Sequence, residues 1–468
     1  MVTENGDSAP KTEPENAIMS ALLRKREPET EAGNGRNAGP KIPKAPVTIQ
    51  DTGLSTSFLM DLMLKVFHYV ETPTAEHLSR VMCLPNGIIG ELLDGLKADR
   101  ACEIIGGGTY GVTSAYRFRL TEKGEARAEQ ALQRCRYAGA APVTLEQYDR
   151  VVTTADLGRW RPTPSLIRTA FKGLILDAGT VDFLERALHS GRTLMLYGPS
   201  GNGKTHILTE YMRHLGGESL IPTSLYAYGQ IIRMFDPMVH ERIVDPNHSD
   251  THIGEEAWDR RWIRIRRPGV IVGGEFTEES LELGYDPITR FYQAPKHLKA
   301  QGGVLVVDDF GRQKVGPAEL LNRWIMALER GRDNLMLRTG ESIDLPFSIT
   351  ILFSTNLNPS DLADAAYLRR IQYKAYMPPV TPEQFAAILN SVVEKRGLQI
   401  SEDAVLEVAR FLHRVTGTGL SGSMARDLLT IVCDNAEHED REVRFDVPSF
   451  EMAYRQFTGI PDGEPLAP

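Results

Sequence analysis

The sequence predicts an α/β protein in which a parallel sheet carries a phosphate-binding loop (P-loop), with flanking helices and a carboxy-terminal helical lid. A short apolar strand at 193–197 runs directly into a glycine-rich loop and then into a helical pattern. Two further apolar strands, at 303–309 and 348–356, end in polar residues. Beyond Pro378 and Pro379 the pattern becomes all-helical. The expected lid helices cover 381–396, 402–416 and 423–437.

Composition and charge restrict the class of protein. The chain has 468 residues, of which 41% are hydrophobic, enough for two or three folded units at roughly 100–200 residues each. A net charge of -9 gives no global attraction to nucleic acid or to an anionic membrane. The four cysteines, Cys83, Cys102, Cys135 and Cys433, have neither zinc-site nor disulfide-framework spacing, which favours reduced thiols. With no apolar run of about 18 residues and no signal-peptide pattern, we expect a cytoplasmic protein without membrane insertion.

Composition shifts along the chain divide it into segments. The first 50 residues are rich in Pro, Glu, Gly and Lys and poor in large apolar residues, so they cannot bury enough surface to offset the entropy of ordering. The expected organisation is a disordered tail at 1–50, a small domain at 56–136, a connector at 137–160, an α/β nucleotide-binding domain at 161–378 and a helical lid at 379–460.

The small domain has helical patterns followed by two strands. Helices are expected at 57–70, 74–82, 86–99 and 121–132, and strands at 102–105 and 116–120 around a turn at 106–108. This order, with the stretch RLTEKGEARA, resembles the winged-helix family, whose third helix often reads DNA. Here the third helix carries Glu91, Asp94 and Asp99, which favours contact with protein. Basic residues on the wing side keep DNA open as an alternative: Arg117, Arg119, Lys123 and Arg127.

The loop after the first strand matches the pattern G-x-x-x-x-G-K-[ST] in its required strand–loop–helix setting. Backbone N–H groups of such a loop and the helix amino terminus bind phosphate. Lys204 should reach the β- and γ-phosphates of ATP, and the Thr205 hydroxyl should bind Mg²⁺. The predicted nucleotide-binding residues are Gly198, Pro199, Ser200, Gly201, Asn202, Gly203, Lys204, Thr205 and His206.

Polar residues at the ends of the next two strands predict the rest of the site. The strand GVLVVDD ends in Asp308 and Asp309, and SITILFSTN ends in Asn356. Carboxyl ends of parallel strands face the ligand crevice of an α/β sheet. We therefore expect Asp308 to hold Mg²⁺, Asp309 to orient or deprotonate the attacking water, and Asn356 to help place that water.

This ordered set of motifs resembles the AAA+ ATPase family. The resemblance implies that Asn356 is the sensor 1 residue and that AAYLRRI carries an arginine finger, with Arg370 the first choice and Arg369 the second. GLSGSMARDLL resembles the sensor 2 region, with Arg426 at the matching position. Most AAA+ proteins have Glu where this chain has Asp309, which is one methylene shorter.

The segment YDPITRFYQAPKHLKAQGGVLVVDDFGRQ, together with LRRIQYK, resembles a bacterial group of predicted ATPases with chaperone activity associated with Flp-type pilus assembly. The resemblance implies an ATP hydrolase that works as a homo-oligomer, in a ring or open ring, and remodels an unknown protein client. Arg370 would act on the nucleotide of a neighbouring subunit. A DNA-associated ATPase of the loader or transposition-helper type, and a nucleotide-gated regulator with little hydrolysis, remain open as alternatives.

An arginine-rich stretch lies in the long segment between the P-loop and the Asp308 strand. Five arginines alternate with apolar residues in or beside RRWIRIRR, within a surplus at 231–274. They are Arg260, Arg261, Arg264, Arg266 and Arg267, near Trp258 and Trp262. Such a pattern suits single-stranded nucleic acid, a protein interface, or an amphipathic strand with one solvated face.

Overall fold

The computed structural model describes residues 40–106, 116–154, 160–244, 258–417, 419–461 and 464–466. Residues 1–39 of the expected tail and 107–108 of the expected turn lie outside this part of the chain. The small domain near the amino terminus, called the front domain below, contains α1 (Thr56–Tyr69), α2 (Ala75–Met82), α3 (Asn86–Ala98), β1 (Cys102–Gly106), β2 (Arg117–Leu120) and α4 (Glu122–Arg134). The hydroxyls of Ser55, Thr74 and Thr121 cap α1, α2 and α4, and β1 pairs antiparallel with β2.

The α/β region begins earlier than the sequence indicates. Its first part contains β3 (Val143–Thr144), α5 (Leu145–Thr154), α6 (Pro164–Phe171), α7 (Ala178–His189), β4 (Leu194–Tyr197), α8 (Lys204–Arg213), β5 (Glu218–Pro222), β6 (Ser224–Ala227), β7 (Gln230–Arg233), β8 (Trp262–Arg266), β9 (Gly269–Val272), β10 (Gly284–Asp286), β11 (Phe291–Gln293) and α9 (Lys296–Lys299). The second part contains β12 (Val304–Val307), α10 (Pro317–Arg330), β13 (Arg332–Met336), β14 (Ser342–Pro346), β15 (Thr350–Thr355), α11 (Pro359–Leu362), α12 (Ala365–Leu368) and β16 (Tyr373–Tyr376).

A five-stranded, all-parallel sheet forms the centre of the α/β domain, in the order β16-β4-β15-β12-β9. The P-loop strand β4 lies next to β15, which lies next to β12. The three apolar strands predicted from the sequence are thus neighbours, and their carboxyl ends share one edge. Their side chains are almost entirely buried beneath flanking helices such as α6, α7 and α8. The predicted α/β fold with a P-loop parallel sheet and flanking helices is confirmed.

A second five-stranded sheet, in the order β10-β11-β7-β6-β3, is built largely from the long segment between β4 and β12. The segment 137–160, predicted to be a connector, contributes β3 and α5 to this part of the fold. Burial explains the difference. Val143 is fully buried, and the ring of Tyr148 stacks on Trp262 with centroids 6.1 Å apart. Strand β3 has only two residues, too few for a periodic signal in the sequence.

The front domain packs directly on the second sheet. The Phe58 ring lies 4.6 Å from the ring of Tyr226. The guanidinium of Arg260 donates to the Ser79 hydroxyl at 2.8 Å and to the Leu84 carbonyl at 2.9 Å. Ile231 of β7 and Phe291 of β11 belong to the same apolar cluster as the helices of the front domain, so this domain and part of the second sheet share one core. Arg260 precedes β8 and adds a polar contact from outside that sheet.

Residues 40–50, predicted to belong to the disordered tail, have defined contacts. Lys44 forms an isolated antiparallel β-bridge with Trp258. The Pro43 carbonyl accepts a hydrogen bond from the amide of Asp259 at 2.8 Å. The Asp51 carboxylate accepts from the amide of Thr48 at 2.8 Å, which closes a turn that leads into the short 3-10 helix Gln50–Thr52. The tail prediction fails here because two of the partners, Trp258 and Asp259, come from a distant part of the chain and leave no local pattern.

The described residues of the carboxy-terminal lid form four helices, one more than predicted: α13 (Pro382–Lys395), α14 (Glu402–Thr416), α15 (Gly422–His438) and α16 (Val447–Thr458). Their apolar faces form a separate core that includes Phe385, Leu412 and Phe450. Antiparallel pairing of Val380 with Leu420 joins the two ends of the α13–α14 hairpin beside the P-loop. Among the described helices, none has the length and apolar character to cross a membrane.

Candidate nucleotide site

The P-loop lies between the carboxyl end of β4 and the start of α8. The Lys204 ammonium is buried inside the loop and donates to the carbonyls of Gly198 at 2.9 Å and Pro199 at 2.7 Å. Burial lowers the pKa of Lys204, while the negative charges of Asp309 and Asp308 act in the opposite direction. The lysine side chain therefore points into the P-loop, where a bound phosphate would supply negative charge.

Asn202 ties the P-loop to the segment that follows β16. Its side-chain amide donates to the Pro378 carbonyl at 3.0 Å, and its Oδ1 atom is buried without a hydrogen-bond partner among the described residues. The role of Pro378 is not apparent from the sequence, in which the Pro-Pro pair indicates only a domain boundary. The contact fixes the loop relative to the junction between the α/β domain and the lid.

Thr205 and Asp308 meet at the start of α8. The Thr205 hydroxyl donates to Oδ1 of Asp308 at 2.7 Å. Mg²⁺ prefers oxygen ligands of this kind and is usually held by one or two protein groups together with substrate phosphates. The donor set fits this ion. The adjacent loop is held by Gln313, whose side-chain amide donates to the Asp308 carbonyl at 2.7 Å.

Asp309 and Asn356 form the second pair of the site. The Asn356 amide donates to Oδ1 of Asp309 at 3.1 Å. Asp309 has a backbone φ of 47°, in the left-handed region that is uncommon for residues other than glycine. The amide of Phe310 donates to the Ser354 carbonyl at 2.7 Å, which locks the turn after β12 to β15. Because of this turn, the side chain of Asp309 points in a different direction from that of Asp308 and contacts Asn356 at the carboxyl end of β15.

The lid contacts the P-loop through the amino-terminal end of α15. The amide of Ser423 donates to the Gly201 carbonyl at 3.0 Å, and the hydroxyls of Ser421 and Ser423 lie 3.3 Å apart. Ser421 occupies the cap position, but its side chain makes no capping hydrogen bond, and both serines face the P-loop instead.

Arg426 follows on the same helix and acts electrostatically on His206. Desolvation lowers the pKa of His206, the negative charge of Glu210 opposes this effect, and the positive charges of Arg213 and Arg426 reinforce it. Arg426 and His206 are both exposed. The predicted sensor 2 arginine is therefore near enough to the start of the P-loop helix for its charge to act on His206.

The two predicted finger arginines lie away from the P-loop of their own chain. They precede β16, whose first residue, Tyr373, pairs with Leu194 at the amino end of β4. The P-loop follows the opposite, carboxyl end of β4. The Arg370 guanidinium donates to Oε1 of Glu329 on α10 at 2.7 Å. The structure thus brings together Lys204, Thr205, Asp308, Asp309 and Asn356, places Arg426 on the lid near His206, and leaves Arg369 and Arg370 apart.

The arginine-rich stretch has structural partners within the chain. Arg261 is only 2% exposed and its guanidinium is held by the carboxylate of Asp259. Arg267 is also buried, lies 4.3 Å from the ring centre of Trp160 and donates to backbone carbonyls. Arg264 pairs with Glu218, and Arg266 pairs with Glu241. The interpretation of this stretch as a nucleic-acid or partner-binding surface is therefore wrong for its buried members.

Comparisons with known proteins give the following similarities. A family described as a domain of unknown function (DUF8689) matches residues 381–456, within the lid. No curated protein sequence matches the chain. The solved structure of a RuvB point mutant from Thermotoga maritima is 14% identical, with 64% of this chain and 74% of that chain covered and a TM-score of 0.38.

Two further solved structures have similar sequence identities and TM-scores. Domain III of the Thermotoga maritima replication initiation protein DnaA is 14% identical over 61% of this chain and 95% of that chain, with a TM-score of 0.35. NtrX from Brucella abortus is 14% identical over 70% of this chain and 66% of that chain, with a TM-score of 0.38. All three TM-scores are below 0.5.

Proposed function

We propose that this chain is an AAA+ ATPase that binds ATP with Mg²⁺, hydrolyses it and uses the cycle to remodel a protein partner as a homo-oligomer. The observation that carries the proposal is the convergence of two pairs, Thr205 with Asp308 and Asp309 with Asn356, beside the buried ammonium of Lys204. These groups come from three neighbouring parallel strands and the P-loop. Together they match a site that holds a triphosphate and an attacking water.

Each group has a distinct role in this proposal. The Lys204 ammonium exchanges its carbonyl partners for phosphate oxygens when ATP binds. Thr205 and Asp308 would hold Mg²⁺, which neutralises charge on the phosphates when bound. Asp309 accepts a proton from, or orients, the attacking water, and Asn356 fixes the direction of that carboxylate. Arg426 adds positive charge from the lid.

The position of the basic pair Arg369 and Arg370 supports an oligomer. The pair follows α12 and lies near the amino end of β4, whereas the P-loop follows the carboxyl end. A strand rises about 3.3 Å per residue, so the length of β4 alone separates these groups from the P-loop of the same chain by roughly 10 Å or more. Charge stabilisation by an arginine finger would then come from a neighbouring subunit, as in AAA+ rings.

A protein partner is favoured over DNA by the acidic residues on the third helix of the front domain. Its third helix, α3, exposes Glu91 and Asp94, and binding to DNA requires neutralisation of phosphates by cations. The buried arginines Arg261 and Arg267 are bonded within the chain. The resemblance to ATPases with chaperone activity associated with Flp-type pilus assembly suggests a client in pilus or secretion assembly.

A nucleotide-gated regulator with little hydrolysis is the second candidate function. The observation that favours it is the Asn356–Asp309 hydrogen bond, because it occupies one carboxylate oxygen of the residue that would receive the proton of water. In this alternative, ATP binding alone moves the lid through the contact between Ser423 and Gly201.

Phosphate release and binding of a fluorescent ATP analogue test both candidates. We expect wild type to bind the analogue and release phosphate, Lys204→Ala to lose both, and Asp309→Asn to bind without turnover. Binding without phosphate release in wild type would support the regulator. DNA-stimulated turnover with a steep dependence on salt would support a DNA-associated ATPase instead.

A further inference from the structure

The two adjacent arginines at 369 and 370 have different surroundings. Arg369 is exposed, whereas the side chain of Arg370 is 18% exposed and forms an ion pair with Glu329. Backbone hydrogen bonds from Arg369 to Ala365 and from Ile371 to Leu368 continue a helical turn through this segment. Consecutive residues of such a turn point about 100° apart. The two guanidinium groups therefore leave the backbone in different directions.

The segment is anchored in the α/β core on the side of Arg370. Ile371 is 1% exposed and belongs to the same apolar cluster as Trp324 of α10 and Leu362 of α11. The ammonium of Lys374 donates to the Ile371 carbonyl at 2.6 Å. With Ile371 in the core and Arg370 held by Glu329 of α10, the segment cannot rotate without breaking these contacts.

We propose that Arg369 is the residue that reaches the nucleotide of a neighbouring subunit, and that the Glu329–Arg370 ion pair positions it. The inference rests on the proposed ATPase function and changes the assignment of the finger from Arg370 to its neighbour. A finger that acts between subunits must reach out of its own chain, and Arg369 is the exposed member of the pair. Arg370 is committed to a carboxylate of its own chain, and moving it would leave Glu329 without its partner.

Substitutions separate a residue that touches the nucleotide from one that positions it. We expect Arg369→Ala to reduce turnover by about 100-fold or more, the order of an arginine-finger effect, without weakening binding of a fluorescent ATP analogue. Arg370→Ala and Glu329→Gln should reduce turnover less. Arg330→Ala, which removes an exposed arginine next to Glu329, is the matched control and should behave as wild type.

Charge reversal distinguishes positioning from direct contact with phosphate. In Arg370→Glu the two carboxylates repel, and turnover should fall. The double variant Glu329→Arg with Arg370→Glu restores an ion pair of opposite polarity, and turnover should recover toward wild type. If the double variant stays as inactive as Arg370→Glu, while Arg369→Ala remains active, the guanidinium of Arg370 acts directly and the proposal is overturned.

Mixing two inactive variants tests action between subunits. Lys204→Ala lacks a working P-loop but keeps Arg369, and Arg369→Ala has the opposite defect. In randomly mixed rings about a quarter of the interfaces combine an intact P-loop with an intact Arg369, so that share of wild-type turnover should return. A mixture that stays inactive contradicts the proposal. Absence of turnover in wild type itself would refute the proposed ATPase, an outcome distinct from both results.

Discussion

The Thr205 hydroxyl lies 2.7 Å from Oδ1 of Asp308, although 103 residues separate them in the sequence. Thr205 is placed by the start of α8 and Asp308 by the end of β12. Strand β15 lies between β4 and β12 in the sheet, so the contact depends on the strand order. The contact brings together two oxygen donors that would hold Mg²⁺.

Replacement of Thr205 tests the hydroxyl in this pair. Thr205→Ala removes the donor, and we expect turnover to fall at least about tenfold, equivalent to about 1.4 kcal/mol in the barrier. Thr205→Ser keeps the hydroxyl and should retain most of the activity. Phosphate release at increasing Mg²⁺ concentration measures the effect. Equal activity of Thr205→Ala and wild type at limiting Mg²⁺ would show that this hydroxyl holds no metal.

The contact between lid and P-loop can be tested by overpacking. A Cβ atom on Gly201 would lie 2.5 Å from the Ser423 hydroxyl and 2.9 Å from Cβ of Ser421. Gly203 also has a positive φ, but a Cβ atom there would meet nothing within 4 Å. We expect Gly201→Ala to lose about 1–3 kcal/mol more free energy of unfolding than Gly203→Ala.

Chemical denaturation of the two glycine variants measures this difference in unfolding free energy. Both glycines have a positive φ, so the backbone strain that alanine introduces is similar in the two variants and cancels in the comparison. Hydrogen exchange at the start of α15 should rise in Gly201→Ala alone. Equal stability losses and equal exchange in the two variants would mean that the lid does not press on the P-loop.

The parallel sheet and most of the site could be predicted from the sequence because their signals are local. A strand, a glycine loop and a helix follow one another around Lys204, and Asp308, Asp309 and Asn356 stand at strand ends. In a parallel sheet the carboxyl ends of the strands share one edge. Residues that act together in a site can therefore be recognised from their type and from their order along the chain. The lid helices after Pro379 have long amphipathic patterns.

The second sheet, the contacts of residues 40–50 and the roles of the arginines could not be predicted, because their partners are remote in sequence. Arg261 and Asp259 form a buried pair, yet the same residues in an amphipathic pattern also suit a solvated face. Strand β3 has only two residues. The Glu329–Arg370 pair joins residues 41 positions apart, and no periodicity marks it.

The arginine-rich stretch should affect folding stability more than binding to nucleic acid. Arg261→Ala leaves the Asp259 carboxylate buried without its partner, and we expect a loss of about 3–5 kcal/mol in unfolding free energy. Arg266→Ala removes a partly exposed pair with Glu241 and should cost less than about 1 kcal/mol. Thermal or chemical unfolding provides both values. Weaker binding of a single-stranded oligonucleotide by Arg266→Ala would restore the nucleic-acid interpretation.

A buried carboxylate on β13 should make stability depend on pH. Burial alone would raise the pKa of Asp333, but hydrogen bonds and charges from His297 and Arg323 outweigh it and hold the pKa below its ordinary value. A carboxylate with a depressed pKa stabilises the fold above its unfolded pKa, about 3.9, and loses that contribution as the pH falls through the folded pKa.

We therefore expect Asp333→Asn to be about 3–5 kcal/mol less stable than wild type near neutral pH. The difference should shrink as the pH falls below about 4, where the unfolded chain takes up the proton, and through the lower pKa of Asp333 in the folded wild type. Denaturation of both proteins at a series of pH values measures this difference in stability. A difference that stays constant down to the lowest pH would show that the charge of Asp333 does not contribute.

The most direct test of the ATPase assignment is steady-state phosphate release at saturating ATP, measured across protein concentration for wild type and Asp309→Asn. We predict that turnover per chain rises with concentration in wild type as subunits associate, and that Asp309→Asn binds ATP with near-normal affinity but has no turnover. Turnover that is absent in wild type, independent of its concentration, or unchanged in Asp309→Asn would contradict an oligomeric ATPase that uses this carboxylate.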